Sequence, residues 1–358
     1  MNIDYETLKN NTLSIDCVLL EKCNLNCLHC FQNHTQKEIS IDYLKSLPNR
    51  LNLLISALLK KHPNTKILKL SIRGGELFQD SISDEFINAY KDIILSQYST
   101  HKIKIQCHVM SNGIYNNIER VINFLKDINS KITLSYDSFG RFTSKKQRSL
   151  FINNFNELKN NNLIENVAIT LTKPAIKNYV EDPKQLKVFE NINLDINNYV
   201  PTKNKDFLLP TDEDIFIFFK TLLDNDIFNC IYLQSLLENT LDSNKKITKA
   251  CNCKNTVIFY ENKLHYSCNV YIPSLDLIQF YGKDFKHIKE EDAVEYITKK
   301  GMTKRNCFLC EHYNNCSMYC WMQLCHEDYI LQECPHRKIR QYIKNNPDII
   351  KRYLQWKK

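Results

Sequence analysis

Three cysteines fall within eight residues at Cys23-x3-Cys27-x2-Cys30, directly after a short apolar run. Clusters of iron and sulfur are commonly held by four thiolates, so a compact set of three would leave one iron open to an outside ligand. Half of a zinc knuckle is a second reading, because CxxC pairs often bind zinc and His29 and His34 stand close by. A disulfide framework is a third. Residues Met1–Asn11 have neither a basic start nor a long apolar stretch, so no export signal is visible. Without export, fifteen cysteines suit reduced metal ligands better than bridges.

A second set lies far down the chain. It runs Cys307-x2-Cys310-x5-Cys316-x3-Cys320, then Cys334, with Cys251-x-Cys253 and Cys268 upstream. Ligands drawn from distant positions would staple a small domain as a structural metal does, and the spacing alone allows a pair of zinc sites. Cys17 and Cys107 lie in apolar runs and read as small buried side chains. Cys230 and Cys325 are left over, and for Cys325, nearer the later set, a spare ligand or hydrogen-atom donor is the minor alternative.

The elements that must position these thiols alternate. Leu13–Leu20 reads as a strand ending at the first cysteine loop. Further β-rich runs follow at Ile67–Ile72, Ile103–Met110, Lys131–Asp137, Val167–Leu171 and Leu194–Val200. Helical patterns separate them. Ser40 caps one to about Lys60 with Leu44, Leu47, Leu51, Leu54 and Leu58 in register, and others cover Ser83–Gln97, Asn116–Asp127, Ser144–Lys159 and Pro183–Asn191. Thr211 and Asp214 predict a capping box on a helix through Leu223. Six β/α units imply a parallel sheet, too few to close the usual eight-unit barrel and so curved and open. Chemistry in such folds gathers at the C-terminal strand ends, where the first cysteine loop falls.

Composition bounds the rest. The 358 residues are 43% hydrophobic, enough for a sizeable core. No window approaches the roughly 20 apolar residues of a membrane span. A net charge of +8 comes from scattered lysines, which argues for a solvated surface and against nucleic-acid binding. Beyond Asp242 the cysteine density rises and helical periodicity fades, with Leu241–Lys249 as the link.

The first motif and its flanks, Cys23-Asn24-Leu25-Asn26-Cys27-Leu28-His29-Cys30-Phe31, resemble the signature of the radical S-adenosylmethionine (SAM) superfamily. Gly74-Gly75-Glu76 after the second strand resembles that family's Gly-Gly-Glu motif, which contacts the SAM amine. Ser111-Asn112-Gly113 and Ser135-Tyr136-Asp137 resemble the polar strand ends lining its cavity. The later cysteines are similar to its SPASM extension; Asn262-Lys263 stands where a glycine turn is usual, and since asparagine tolerates positive φ a hairpin is still expected there. By this resemblance the fold is α/β: a partial (β/α)6 barrel over 1–245, a SPASM domain over 246–340 and a helical tail over 341–358.

The resemblance further implies three 4Fe–4S clusters. Cys23, Cys27 and Cys30 would hold the SAM-binding one. Cys253, Cys268, Cys320 and Cys251 would hold auxiliary cluster I, and Cys307, Cys310, Cys316 and Cys334 cluster II. Together these carry a charge of about −5 and leave the holoprotein weakly basic. SAM would meet Phe31, Gly74, Gly75, Glu76, Asn112, Ser135 and Asp137, with Arg148 on its carboxylate and Arg141 as the rival. The implied activity is SAM cleavage to a 5′-deoxyadenosyl radical and hydrogen abstraction from a peptide or protein, in the cytoplasm, with a flavodoxin or ferredoxin as reductant. A maturase that crosslinks or otherwise oxidises a ribosomally made peptide is the first expectation. Only about a dozen residues precede strand one, so any leader recognition would come from the barrel or a separate leader-binding protein. An anaerobic sulfatase-maturing enzyme is the alternative, weakened because Asn269 stands where those enzymes usually have an aspartate. A zinc-stapled binding protein is the reading from another class. The Ile339–Lys358 segment reads as a packed amphipathic helix.

Overall fold

The computed structural model describes residues 11–30, 39–200, 206–244, 256–260, 263–265, 293–313, 316, 323–324 and 329–358. Six strands run in parallel: β1 (Thr12–Leu20), β2 (Ile67–Gly74), β3 (Lys104–Ser111), β4 (Ile132–Ser135), β5 (Ile164–Leu171) and β6 (Asn193–Asn198). Each neighbours the next in chain order, as successive right-handed β/α crossovers dictate. The sheet does not stop at β1. Strand β7 (Thr256–Tyr260), from the cysteine-rich part of the chain, pairs parallel to β1, and β8 (Lys263–His265) folds back antiparallel on β7. The hairpin expected there is present, with Tyr260 of β7 paired to Lys263 of β8. Its union with the barrel sheet is an addition to the six-strand expectation: β7 covers an edge of β1 whose backbone N–H and C=O groups would otherwise lie open.

Register separates the two faces of the sheet. Ile15, Leu70, Val109, Leu134, Val167 and Leu194 share one face and are fully or almost fully buried against helices. The other face carries Asp16, Ser71, Arg73, His108, Thr133 and Asp195. A parallel sheet covered on both faces is usually apolar throughout; here one face instead carries polar and charged side chains. Burial raises the Asp195 carboxyl on β6, while Arg73 and Lys69 on β2 pull it down.

The helices form largely where the periodicity places them. Ser40 caps α1 (Ile41–Lys61) by accepting from the Tyr43 N–H. Its buried stripe is Leu44, Leu47, Leu51, Ile55 and Leu58, so Ile55 rather than Leu54 faces the core. Helices α2 (Asp84–Thr100), α3 (Ile118–Asp127) and α4 (Lys145–Asn160) follow, the last capped by Ser144. After β5 the sequence reading is corrected. A helix expected over Pro183–Asn191 is reduced to the single turn α6 (Lys184–Lys187), and α5 (Lys173–Glu181) precedes it. Thr172 caps α5 with Pro174 in its first turn, a start signal the periodicity alone did not weigh.

The capping box of Thr211 and Asp214 opens α7 (Asp212–Asp224) as predicted. An unforeseen helix, α8 (Ile231–Leu241), leads up to the supposed link, and α9 (Ala293–Lys304) interrupts the cysteine-rich stretch. The tail is two helices, α10 (Pro335–Asn345) and α11 (Asp348–Trp356), so a boundary at 340/341 falls inside α10. Among the described residues, no helix is long and apolar enough to cross a membrane.

Candidate functional site

At the C-terminal ends of β1 to β4, four chain segments close on the cysteine loop. The first contact is backbone on backbone. Gly75 N–H donates to the Leu20 carbonyl at 2.6 Å and Glu76 N–H to that of Lys22 at 3.0 Å. A Cβ on Gly75 would lie 1.9 Å from the Lys22 oxygen, and one on Gly74 would lie 2.1 Å from that of Leu20. Gly74 also has φ +125°, a region reserved for glycine. The paired glycines thus let β2 press against the stem of the loop.

Glu76 is buried and turned toward β3. Its oxygens accept from Ser111 Oγ at 3.0 Å, the Asn112 N–H at 2.6 Å and the Phe78 N–H at 3.1 Å. Burial lifts its carboxyl to about 7, against the pull of those donors. Asn112 carries the connection onward. Its Nδ2 donates to Asn24 Oδ1 at 2.8 Å and lies 3.7 Å from Cys23 Sγ, while Asn24 Nδ2 donates to the Ile114 carbonyl at 2.6 Å. Gly-Gly-Glu, the end of β3 and the loop are therefore one hydrogen-bonded unit.

The other side of the loop meets the connection after β4. Leu28 N–H donates to the Gly140 carbonyl at 2.9 Å. Arg141 holds Asp137 Oδ2 through Nε and Nη2, each at 2.7 Å. His29 Nε2 lies 3.2 Å from the same oxygen and 3.3 Å from Arg141 Nη2. Burial alone would raise the Asp137 carboxyl, yet His29 and Arg141 bring it below its ordinary value.

The three thiols fit a metal-bound cluster. Burial pushes Cys23 up to about 11 and raises Cys27, the latter against the Arg141 charge, so unligated they are neutral. Coordination deprotonates a thiol outright, and the Arg141 guanidinium and Asn112 amide are placed to offset the buried negative charge. Among the described residues, no three Cys, His, Asp or Glu side chains stand close enough to share one metal ion. A cluster gives each thiolate its own iron and asks for no such convergence.

The later thiols are also gathered. Burial raises Cys307, reinforced by Cys334 and Cys310 nearby, and half-buried Tyr232 of α8 senses both Cys316 and Cys334. Arg337 lies 3.9 Å from Cys310 Sγ. Behind them, fully buried Asp212 at the start of α7 accepts from Arg305 Nη2 at 2.7 Å, Tyr329 Oη at 2.7 Å and the Gln332 N–H at 2.8 Å.

Solved structures with this arrangement of elements exist. Native anSMEcpe, an anaerobic sulfatase-maturing enzyme, with bound AdoMet and the Cp18Cys peptide matches at a TM-score of 0.65 and 17% identity, over 95% of this chain and 98% of that one. The same enzyme with AdoMet and the Kp18Cys peptide gives 0.64 and 18% over the same shares. The chain has the radical SAM fold. SuiB of Streptococcus suis bound to its precursor peptide SuiA gives 0.48 at 13% identity, over 92% and 78%. No protein-family model matches the sequence, and no curated protein matches it.

On this fold, Cys23, Cys27, Cys30, Gly74, Gly75, Glu76, Asn112 and Asp137 come together at the loop. The glycines pack against the loop stem, and Glu76 accepts from the end of β3. Arg148 does not join them: it is exposed on α4, and Arg141 is the arginine at the loop. Ser135 ends β4 half-buried. Phe31, Cys251, Cys253, Cys268 and Cys320 lie outside the described residues. Sequence reasoning missed Asn24 and the pairing of His29, whose signal was only a polar residue between cluster cysteines.

Proposed function

We propose that the chain is a radical SAM enzyme that modifies a peptide or protein. The position of the cysteine loop carries the reading: it sits at the C-terminal end of β1 with the ends of β2, β3 and β4 closed around it, where parallel β/α folds do their chemistry. Cys23, Cys27 and Cys30 would hold a 4Fe–4S cluster with an open iron, which when bound supplies the electron that cleaves SAM. The chain's own residues orient and enclose. Asn112 and Asn24 fix the Cys23 side, Arg141 and Asp137 fix the Cys27 side, and Glu76 ties both strand ends together. The polar sheet face that carries Asp16, Arg73, His108 and Thr133 would hold a substrate group away from bulk water, so that a reactive species meets only its target.

The SPASM reading remains part of the proposal, with Cys307, Cys310, Cys316 and Cys334 for one auxiliary cluster and Cys251, Cys253, Cys268 and Cys320 for the other. So do the domain limits, amended at 340/341, a cytoplasmic location, a flavodoxin or ferredoxin donor, and a separate leader-binding protein. The first substrate class is a ribosomally made peptide that is crosslinked or oxidised. Formylglycine formation on a sulfatase is the second reading, favoured by the near full-length likeness to anSMEcpe and opposed by Asn269.

The test is anaerobic reconstitution with iron, sulfide and zinc analysis, followed by a dithionite-dependent assay for 5′-deoxyadenosine. About twelve irons are expected for three clusters, with SAM cleavage abolished in Cys27→Ala. Zinc without sulfide, and no cleavage, would leave a metal-stapled binding protein. A cysteine-containing sulfatase peptide converted to an aldehyde would move the second reading ahead of the first.

A further inference from the structure

We propose that Arg141 is a fixed cation that raises the reduction potential of the cluster held by Cys23, Cys27 and Cys30, with Asp137 and His29 as its positioning residues. This rests on the cluster reading above. The geometry is unusually constrained for an arginine. Both bonds from its Nε and Nη2 go to one oxygen, Asp137 Oδ2, at 2.7 Å. The other Asp137 oxygen accepts from the Thr170 N–H at 2.7 Å, which anchors the carboxylate to the end of β5. His29, between two of the cluster cysteines, closes the triangle from the loop side, and the Leu28–Gly140 bond fastens the two backbones. All three side chains are at most 10% exposed.

A planar guanidinium bound through two nitrogens cannot swing away as a lysine can. Its charge is therefore delivered at a set place, 3.3 Å from the ring of His29, which lies between Cys27 and Cys30 in the loop. Reduction takes one electron from an external one-electron donor and adds one negative charge to the iron–sulfur unit. A nearby cation favours that more negative state, and strongly so in a site of low dielectric. Two of the guanidinium's nitrogens are already engaged with the protein, which makes it a poor choice for the cofactor carboxylate.

The experiment is an anaerobic redox titration of the reconstituted full chain, followed by electron paramagnetic resonance. The signal that changes when SAM is added identifies the relevant cluster. Potentials are measured without SAM, and iron content is checked for each variant. In Arg141→Gln the midpoint should fall. A tenfold drop in the ratio of reduced to oxidised cluster at a fixed applied potential would correspond to about 59 mV for one electron. In Asp137→Asn, which removes a negative charge and keeps the cation, it should rise. A role in packing alone would not move the two in opposite directions.

Equal potentials in wild type and Arg141→Gln, or a fall in both variants, would overturn the proposal. So would an unchanged potential with weakened SAM binding, which would place Arg141 on the cofactor instead. Should Arg141→Gln lose its iron, Asp137→Asn decides alone: a rise supports the inference, and no change or a fall ends it. A wild type without any iron–sulfur signal would remove the cluster reading itself, a failure distinct from all of these.

Discussion

The thiols after β1 lie within eight residues and are fixed by the sheet: close backbone contact from β2, the Asn112 and Asn24 amides on the Cys23 side, and the Arg141–Asp137 pair on the Cys27 side. Those from Cys307 to Cys334 are spread along the chain and are backed by contacts from a helix: Asp212 grips Arg305, Tyr329 and Gln332 N–H, and Lys338 reaches Glu213. A local set of ligands needs a rigid stem, supplied by a sheet. A dispersed set needs long-range clamps, supplied between a barrel helix and the later chain by the buried Asp212–Arg305 pair and the exposed Lys338–Glu213 pair. The two regions should therefore fail in different ways.

The largest effect is expected at Asp212→Ala, which strands Arg305 at 7% side-chain exposure without its partner. Breaking one side of a buried pair costs about 3–5 kcal/mol. Urea unfolding of the reconstituted protein should show that loss, with iron lost from the later cysteines while the SAM-responsive signal persists. If both iron populations vanish together, the regions are not independent.

Gly75→Ala should do the reverse. Its Cβ has no room beside the Lys22 carbonyl, and overpacking of this kind costs about 3 kcal/mol. Loss of the SAM-responsive signal with retention of the other iron is the expected outcome in resonance spectra. Normal loading of the first loop in this variant would contradict the rigid-stem account.

A third test uses pH. Burial moves Glu76 from an ordinary 4.5 to about 7, so between those values the folded protein keeps a proton that the unfolded chain has released. Its stabilising contribution is full below pH 4.5 and is lost as pH rises to about 7. Compared with wild type, Glu76→Gln should gain relative stability across that window and level off above it. Chemical unfolding at several pH values measures this, and a difference that stays flat would show that Glu76 does not titrate there.

The smallest change is expected from Thr211→Ala. It removes the cap beside Asp212 but leaves the ion pair, and capping losses are about 1 kcal/mol. A loss as large as that of Asp212→Ala would mean that the cap, not the charge, holds the later region.

Much of this contrast is legible in the amino-acid order, and the missing part has a physical cause. Period and caps placed β1 to β6 and most helices, and the spacing of Cys23, Cys27 and Cys30 marked the site. Gly74 and Gly75 were noticed as glycines, but only the path of the Leu20–Lys22 backbone shows what they make room for. Arg148 was set ahead of Arg141 for the SAM carboxylate; both follow β4, and sequence distance does not say which of them meets the loop. Arg141 follows Gly140 at the loop, whereas Arg148 sits a turn into α4 and faces solvent. Strand β7 was foreseen as part of a hairpin and not as a neighbour of β1, since strand partners far apart in sequence leave no local trace.

That last pairing reaches into the making of the protein. Translation delivers β1 first and its neighbour β2 soon after, yet the opposite edge of β1 finds its partner only when Val257 and Ile258 have left the ribosome. Until then the strand that leads into the cysteine loop carries an unsatisfied backbone edge, the feature by which half-made chains associate or are recognised as incomplete. A message cut short before Thr256 therefore yields a product with its cysteine loop and an open seam beside it. The late hairpin thus completes a sheet whose other strands were all made long before it.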